Sequence, residues 1–169
     1  PMSISYEYEP CDILKAREVV ISRKHKYVKA EGEDFNSIVT GIMQQKGNIH
    51  LNIGKQLSSE EIAEAAKCDK NDRYQLIRHA VDLRVIDGYR LWNNNYIAYD
   101  LLNHSYKYSH MYEPAEIEQF VSYMHKQLDT VEPEINREDL RRIFLDIYAN
   151  PVVTKELLEK ERITGGILL

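Results

Sequence analysis

From Leu57 to Ile62 the chain carries a complete helix-start signal, and that signal constrains the segments on either side of it. Ser58 can accept a hydrogen bond from the backbone N–H of Glu61 while the Glu61 carboxylate reaches back to the Ser58 N–H, and Leu57 and Ile62 occupy the two positions of a hydrophobic staple. The helix so begun is short. It is expected to run to about Ala66 with Ile62, Ala63 and Ala66 on its inner face, and a polar turn rich in capping residues follows over 68–72. A longer helix then spans about Asp72 to Val85, with Leu76, Ile77, Ala80, Leu83 and Arg84 along its buried side, and Asp87-Gly88 closes it. The result is a helix-turn-helix.

The flanking periodicities extend this pattern. Upstream, Phe35, Ile38, Val39, Ile42 and Met43 recur at i, i+3, i+4, i+7 and i+8, one apolar stripe on a helix with Glu33 and Asp34 at its positive end and Gly47 after its stop. Ile49, Leu51 and Ile53 then alternate with Asn48, His50 and Asn52, the period of a half-buried strand. Downstream, Tyr89–Trp92 and Tyr96–Tyr99 flank Asn93-Asn94-Asn95 and are expected to form a hairpin with the asparagines at its tip. The lone strand and the hairpin would make a three-stranded sheet beside the helix-turn-helix. The expected fold is therefore mainly α with a small antiparallel sheet: a winged helix-turn-helix core over 33–103, preceded by an N-terminal arm (1–32) and followed by a C-terminal helical extension (104–169).

In the extension, Ile117, Phe120, Val121, Met124 and Leu128 form a helical stripe with Pro114 suited to the first turn. Asn136 and Asp139 start another helix with Leu140, Ile143, Phe144 and Ile147 inward, and Asn150-Pro151 is expected to force a bend before a last short helix. The terminal Ile167, Leu168 and Leu169 read as apolar residues that pack on the domain or bridge to a partner. Residues 12–21 fit a helix or a strand equally.

Charge is unevenly placed. The 169 residues hold 27 acidic and 22 basic side chains, a net charge of -5, which excludes a polybasic binder that grips nucleic acid along its whole surface. The acidity belongs to the C-terminal third, whereas Lys15, Arg17, Arg23, Lys24, Lys26 and Lys29 face only Glu18 across residues 15–29. That basic stretch is either a solvated arm or a phosphate-contacting patch. Cys11 and Cys68 are far apart and form no CxxC pair, so a disulfide framework and a cysteine zinc site are not expected. With no long apolar run and no signal-peptide pattern at the start, the reading is a cytoplasmic protein without a membrane span.

The chain carries no phosphate-binding glycine loop, dinucleotide fingerprint, nucleophile elbow or zinc-protease pair, and its six histidines show no metal-ligand spacing. No enzyme activity, cofactor or metal is expected. Most of the twelve tyrosines read as half-buried packing residues.

The runs GEDFNSIVTGIMQQKGNIHLN (32–52) and LSSEEIAEAAKCDKNDRYQLIRHAVDLRVIDGYRLWNNNYIAY (57–99) together resemble the N-terminal winged-helix domain of phage replisome organisers and DnaD-like replication proteins. The "LSSEEIA" helix start and the "DGY" step into a wing carry the likeness, which spans pattern rather than an invariant motif; the chain departs from that family in lacking a basic C-terminal region. The resemblance implies a DNA-binding protein of replication initiation or transcription control, of a phage or mobile element. With the longer helix in a major groove, Arg78 would fork onto guanine and Gln75 pair with adenine, while Lys70, Asn71, Arg73 and Tyr74 reach phosphates or base edges. Arg90 and Asn94 at the wing would add backbone contacts, and Lys24 and Lys26 salt-dependent affinity. The alternative is a non-enzymatic winged-helix adaptor or inhibitor that binds a host or partner protein through its acidic helices and aromatic surface. In either case the C-terminal helices suit a homodimer or partner contact.

Overall fold

The computed structural model describes residues 1–163. Among them the fold is mainly helical with one small sheet: β1 (Met2–Tyr6), α1 (Asp12–Ser22), α2 (Glu33–Met43), β2 (Ile49–Ile53), α3 (Ser59–Ala66), α4 (Lys70–Gly88), α5 (Asn93–Asn103), a 3-10 turn (Ser109–Met111), α6 (Pro114–Leu128) and α7 (Arg137–Ile163). None of these helices is long and apolar enough to cross a membrane. Ile167, Leu168 and Leu169 lie outside the described residues. The described residues divide into two compact units, each assembled from separated stretches: residues 1–5, 50–90 and 153–163 form one, and residues 6–49 and 91–152 the other.

The unit of 6–49 and 91–152 holds the main core. The stripe on α6 buries Phe120, Met124 and Leu128, and the stripe on α7 buries Leu140, Ile143 and Phe144, as their spacing requires. Ile13, Ala16 and Val20 of α1 and Ile97 and Ala98 of α5 complete the cluster. Its centre is aromatic, with the Phe120 and Tyr148 rings edge-on at 5.0 Å and Phe144 5.3 Å from Tyr148. Pro114 opens α6, and the Asn136 carboxamide caps the start of α7 by accepting the Asp139 N–H at 2.9 Å.

A polar knot is set into this core. Asp12, fully buried, begins α1 behind Cys11, which holds a left-handed φ of 59°. Its Oδ1 accepts the Ile13 N–H at 2.7 Å and the Gln44 amide at 3.0 Å, and its Oδ2 accepts the Tyr123 and Tyr148 hydroxyls, both at 2.7 Å. Gln44 also accepts the Cys11 N–H at 2.8 Å, and the Tyr148 hydroxyl accepts the Glu9 N–H at 3.0 Å. Burial first, then the Asp12 charge, drives the Tyr123 and Tyr148 phenols well above their ordinary range, so both donate as neutral hydroxyls.

Four sequence expectations are corrected here. The first is the wing: Asn93–Asn103 is a helix, not a hairpin, because Asn95 closes its first turn and its carboxamide has a partner in α7 that no local pattern reveals. The sheet is accordingly two-stranded, β1 pairing with β2. Second, the alternating strand presents the opposite face. Leu51 and Ile53 are exposed together with Met2 and Ile4, while Ser3 and Ser5 turn inward. The inward side is where the end of α4 arrives: a Cβ on Gly88 would lie 1.9 Å from the Asn52 Nδ2 and 2.8 Å from the Ser3 Oγ, and the Arg90 N–H donates to the Ser5 Oγ at 3.2 Å. So close a backbone admits only small or polar side chains. Third, the α2 stripe exists but is not a core face, since Phe35, Ile38, Val39, Ile42 and Met43 are 40–79% exposed. α2 instead leans on its small and polar side, where the Cys11 Sγ donates to the Ser37 carbonyl and Gly41 leaves room for the same sulfur. Fourth, α7 runs through Pro151 without ending. Tyr148, Ala149 and Val152, buried on both sides of the proline, hold the helix across the missing N–H.

Candidate nucleic-acid interface

The helix pair α3 and α4, joined by a short turn, lies within the other unit, and its geometry follows from local signals. The Ser58 Oγ accepts the Glu61 N–H at 3.1 Å and the Glu61 carboxylate accepts the Ser58 N–H at 2.7 Å. Asp69 caps α4 by accepting the N–H groups of Asn71 at 2.8 Å and Asp72 at 3.1 Å. Arg73 reaches back across the turn to the carbonyls of Ala66 and Cys68 at 3.2 and 3.4 Å, satisfying oxygens that the end of α3 leaves open. The two helices pack on each other, and each buries one small residue nearly fully, Ala65 in α3 and Ala80 in α4. In α3 the inner residue is therefore Ala65 rather than Ile62, Ala63 and Ala66, which are exposed.

Arg84 locks the pair. Its guanidinium donates to both oxygens of Glu61 at 2.8 Å and to the Ala80 carbonyl at 2.8 Å. Glu61 thus caps α3 and anchors α4 with one carboxylate, which the Arg84 bond and then the Ser58 N–H hold below the usual carboxylate range. Sequence placed Arg84 only on the buried side of its helix; a bidentate partner 23 residues away gives no periodic signal. Ser58→Ala removes the cap without touching the Arg84 bond, and is expected to cost about 1 kcal/mol, read as a lowered midpoint in urea unfolding.

The first turns of α4 are exposed nearly all round. Lys70, Asn71, Arg73, Tyr74, Gln75 and Arg78 are all exposed, and Asn71, Tyr74, Gln75 and Arg78 share one face by their i, i+3, i+4 and i+7 spacing. On that face the Arg78 Nε lies 4.0 Å from the Asp82 carboxylate, with both side chains mostly in solvent. Such a pair is worth less than about 1 kcal/mol, so a base or phosphate competes with it easily. Several acids of the region are engaged, Asp69 in the cap, Glu61 with Arg84, Glu64 with Lys67, and Asp87 with Arg162 at 3.0 Å, whereas Asp72 in the first turn of α4 is exposed and makes no ion pair among the described residues.

Arg90 is exposed in the same unit. Asn94 is not among these exposed residues. It is 5% exposed in the other unit, its Nδ2 donating to the Glu7 carbonyl at 2.7 Å. Lys24 and Lys26 are also in that other unit, exposed after α1. The basic stretch to which they belong is partly structural: Lys15 faces Glu9 at 3.9 Å, Arg17 forks onto Glu132 at 2.6 and 2.8 Å, and Lys29 pairs with Asp34. Lys24 and Lys26 make no such ion pair among the described residues. Tyr108, after α5, packs on two tyrosines of that helix, 5.0 Å from Tyr96 and 5.1 Å from Tyr99.

Comparison of the chain with protein-family models, with curated proteins and with solved structures finds no match.

Proposed function

We propose that this protein binds double-stranded DNA with α4 as the recognition helix of a helix-turn-helix, in replication initiation or transcription control. One observation carries the reading: from Lys70 to Arg78 the first turns of α4 are exposed apart from the half-buried Leu76 and Ile77, behind a turn fastened by Asp69 and Arg73. In helix-turn-helix proteins it is the N-terminal residues of the second helix that meet the base edges. Gln75 and Arg78 are the side chains suited to adenine and guanine, and Lys70 and Arg73 supply charge for phosphates.

Fluorescence anisotropy of labelled duplex DNA, repeated at several salt concentrations, tests this. The protein is expected to bind with an affinity that falls steeply as salt rises, since each neutralised phosphate contributes close to one unit of slope. Gln75→Ala with Arg78→Ala is expected to weaken binding at least about tenfold, and Lys70→Ala to lower the salt slope by about 1, with thermal stability unchanged in both. Unchanged affinity in the double variant removes α4 as the interface. Absence of binding at low salt transfers the proposal to the adaptor reading, which the exposed apolar stripe of α2 supports.

A further inference from the structure

A pocket of about 410 Å³ opens where the end of α5, the 3-10 turn, the start of α6 and the start of α7 converge, all within residues 91–152. Its volume is that of a small-molecule site. Ile97, Leu101, Pro114 and Ile117 make its apolar walls.

The polar groups at its rim divide into two kinds. Asp100 is buried and its carboxylate is fully used: Oδ1 accepts the Ser105 hydroxyl, and Oδ2 accepts the Tyr108 N–H at 2.9 Å and the Tyr112 hydroxyl at 2.7 Å. Burial raises the Asp100 carboxyl, but these bonds outweigh it and the group stays ionised; burial and the same carboxylate push Tyr112 up to about 12. Ser105, Tyr112 and Asp100 are therefore a closed frame that holds the connector after α5 in place and offers a ligand nothing. Arg141 and His104 are the second kind. The guanidinium of Arg141, half-buried on α7, lines the pocket and makes no hydrogen bond or ion pair among the described residues. His104, held at a left-handed φ of 50° at the end of α5, also lines the pocket with its ring uncommitted. Glu138, one turn before Arg141 on α7, is exposed and forms no ion pair with it.

We propose that this pocket binds a small organic carboxylate, its apolar or aromatic body between Leu101 and Ile117 and its carboxylate on Arg141, with His104 at the mouth. A planar guanidinium matches a carboxylate with two parallel bonds, and in a partly desolvated pocket such charge-assisted bonds are about twice as strong as neutral ones.

The test is isothermal titration of the whole chain with benzoate, 3-phenylpropionate and indole-3-acetate, each beside its uncharged primary amide. At least one carboxylate is expected to bind one per chain with a dissociation constant below about 1 mM, and about tenfold or more tighter than its amide. Arg141→Gln is expected to remove that preference, and Arg141→Lys to restore part of it. Leu101→Trp, which fills the cavity from its apolar wall, is expected to abolish binding while the circular dichroism spectrum stays that of the parent. Failure of all three carboxylates to saturate, equal binding of acid and amide, or full binding by Arg141→Gln would each overturn the proposal.

Discussion

Replacing Asp12 by alanine is expected to destabilise the protein by about 3–5 kcal/mol, enough to bring a domain of ordinary stability close to unfolding. The carboxylate is fully buried and accepts from four donors: the Ile13 N–H, the Gln44 amide, and the Tyr123 and Tyr148 hydroxyls. Alanine leaves those donors facing a small cavity without acceptors, and each unsatisfied buried group costs about 1–3 kcal/mol before relaxation. Gln44 and the two tyrosines lie in or beside α2, α6 and α7, so the loss is shared by every element that meets at the start of α1. Asp12→Asn keeps one carbonyl oxygen, and the hydroxyls can rotate to accept from its new N–H groups, so its cost is expected to be about half as large. Tyr148→Phe is milder again: it removes one bond to Asp12 and the acceptor of the Glu9 N–H at 3.0 Å, but keeps the ring in the Phe120–Phe144 stack. Urea unfolding followed by far-ultraviolet circular dichroism ranks the three. A cost for Asp12→Ala within about 1 kcal/mol of the parent would show that water reaches the knot and replaces the carboxylate.

None of this was legible in the sequence, and the reason is the separation of the parts. Residues 12, 44, 123 and 148 are brought together by tertiary packing, and no spacing relates them. What was legible is local. The Ser58–Glu61 cap, the Asp69 turn and the stripes on α6 and α7 are each set by residues within a turn or two of one another, and each stands where the spacing put it. Strand alternation gave less: it groups Ile49, Leu51 and Ile53 on one face but does not say which face turns inward. That was decided by the approach of Gly88 to Ser3 and Asn52, from distant stretches of the chain. The α2 stripe failed in the same way, since periodicity shows that a face exists and not that anything covers it. Of the proposed DNA-contacting residues, the six on α4 are exposed together because one helix carries them. Asn94 was misplaced with the wing that was expected to hold it.

Asn95→Ala is expected to cost about 2–4 kcal/mol, and Asn95→Gly more, although alanine is the better helix former. Asn95 is 1% exposed. Its Oδ1 accepts the Trp92 N–H at 2.7 Å, closing the first turn of α5, and its Nδ2 donates to the Tyr148 carbonyl at 2.8 Å. That carbonyl sits three residues before Pro151, in the stretch of α7 where the helix loses a backbone donor. Removing the carboxamide therefore takes the acceptor from the half-buried Trp92 N–H at the helix start and the tie from α5 to the Tyr148 carbonyl in the core. A hairpin tip at Asn93-Asn94-Asn95 requires the opposite result: glycine accepts positive φ more readily than asparagine, so Asn95→Gly would be neutral or stabilising there. Asn93→Ala supplies the internal control, because among the described residues the exposed Asn93 side chain bonds only the Glu116 carboxylate at 2.7 Å and its loss is expected to cost less than about 1 kcal/mol. Thermal unfolding of the three variants decides between helix and hairpin. A large loss for both Asn95 variants with little for Asn93→Ala is the signature of a capped, buried helix start, whereas a stable Asn95→Gly would return these residues to a turn and restore the wing.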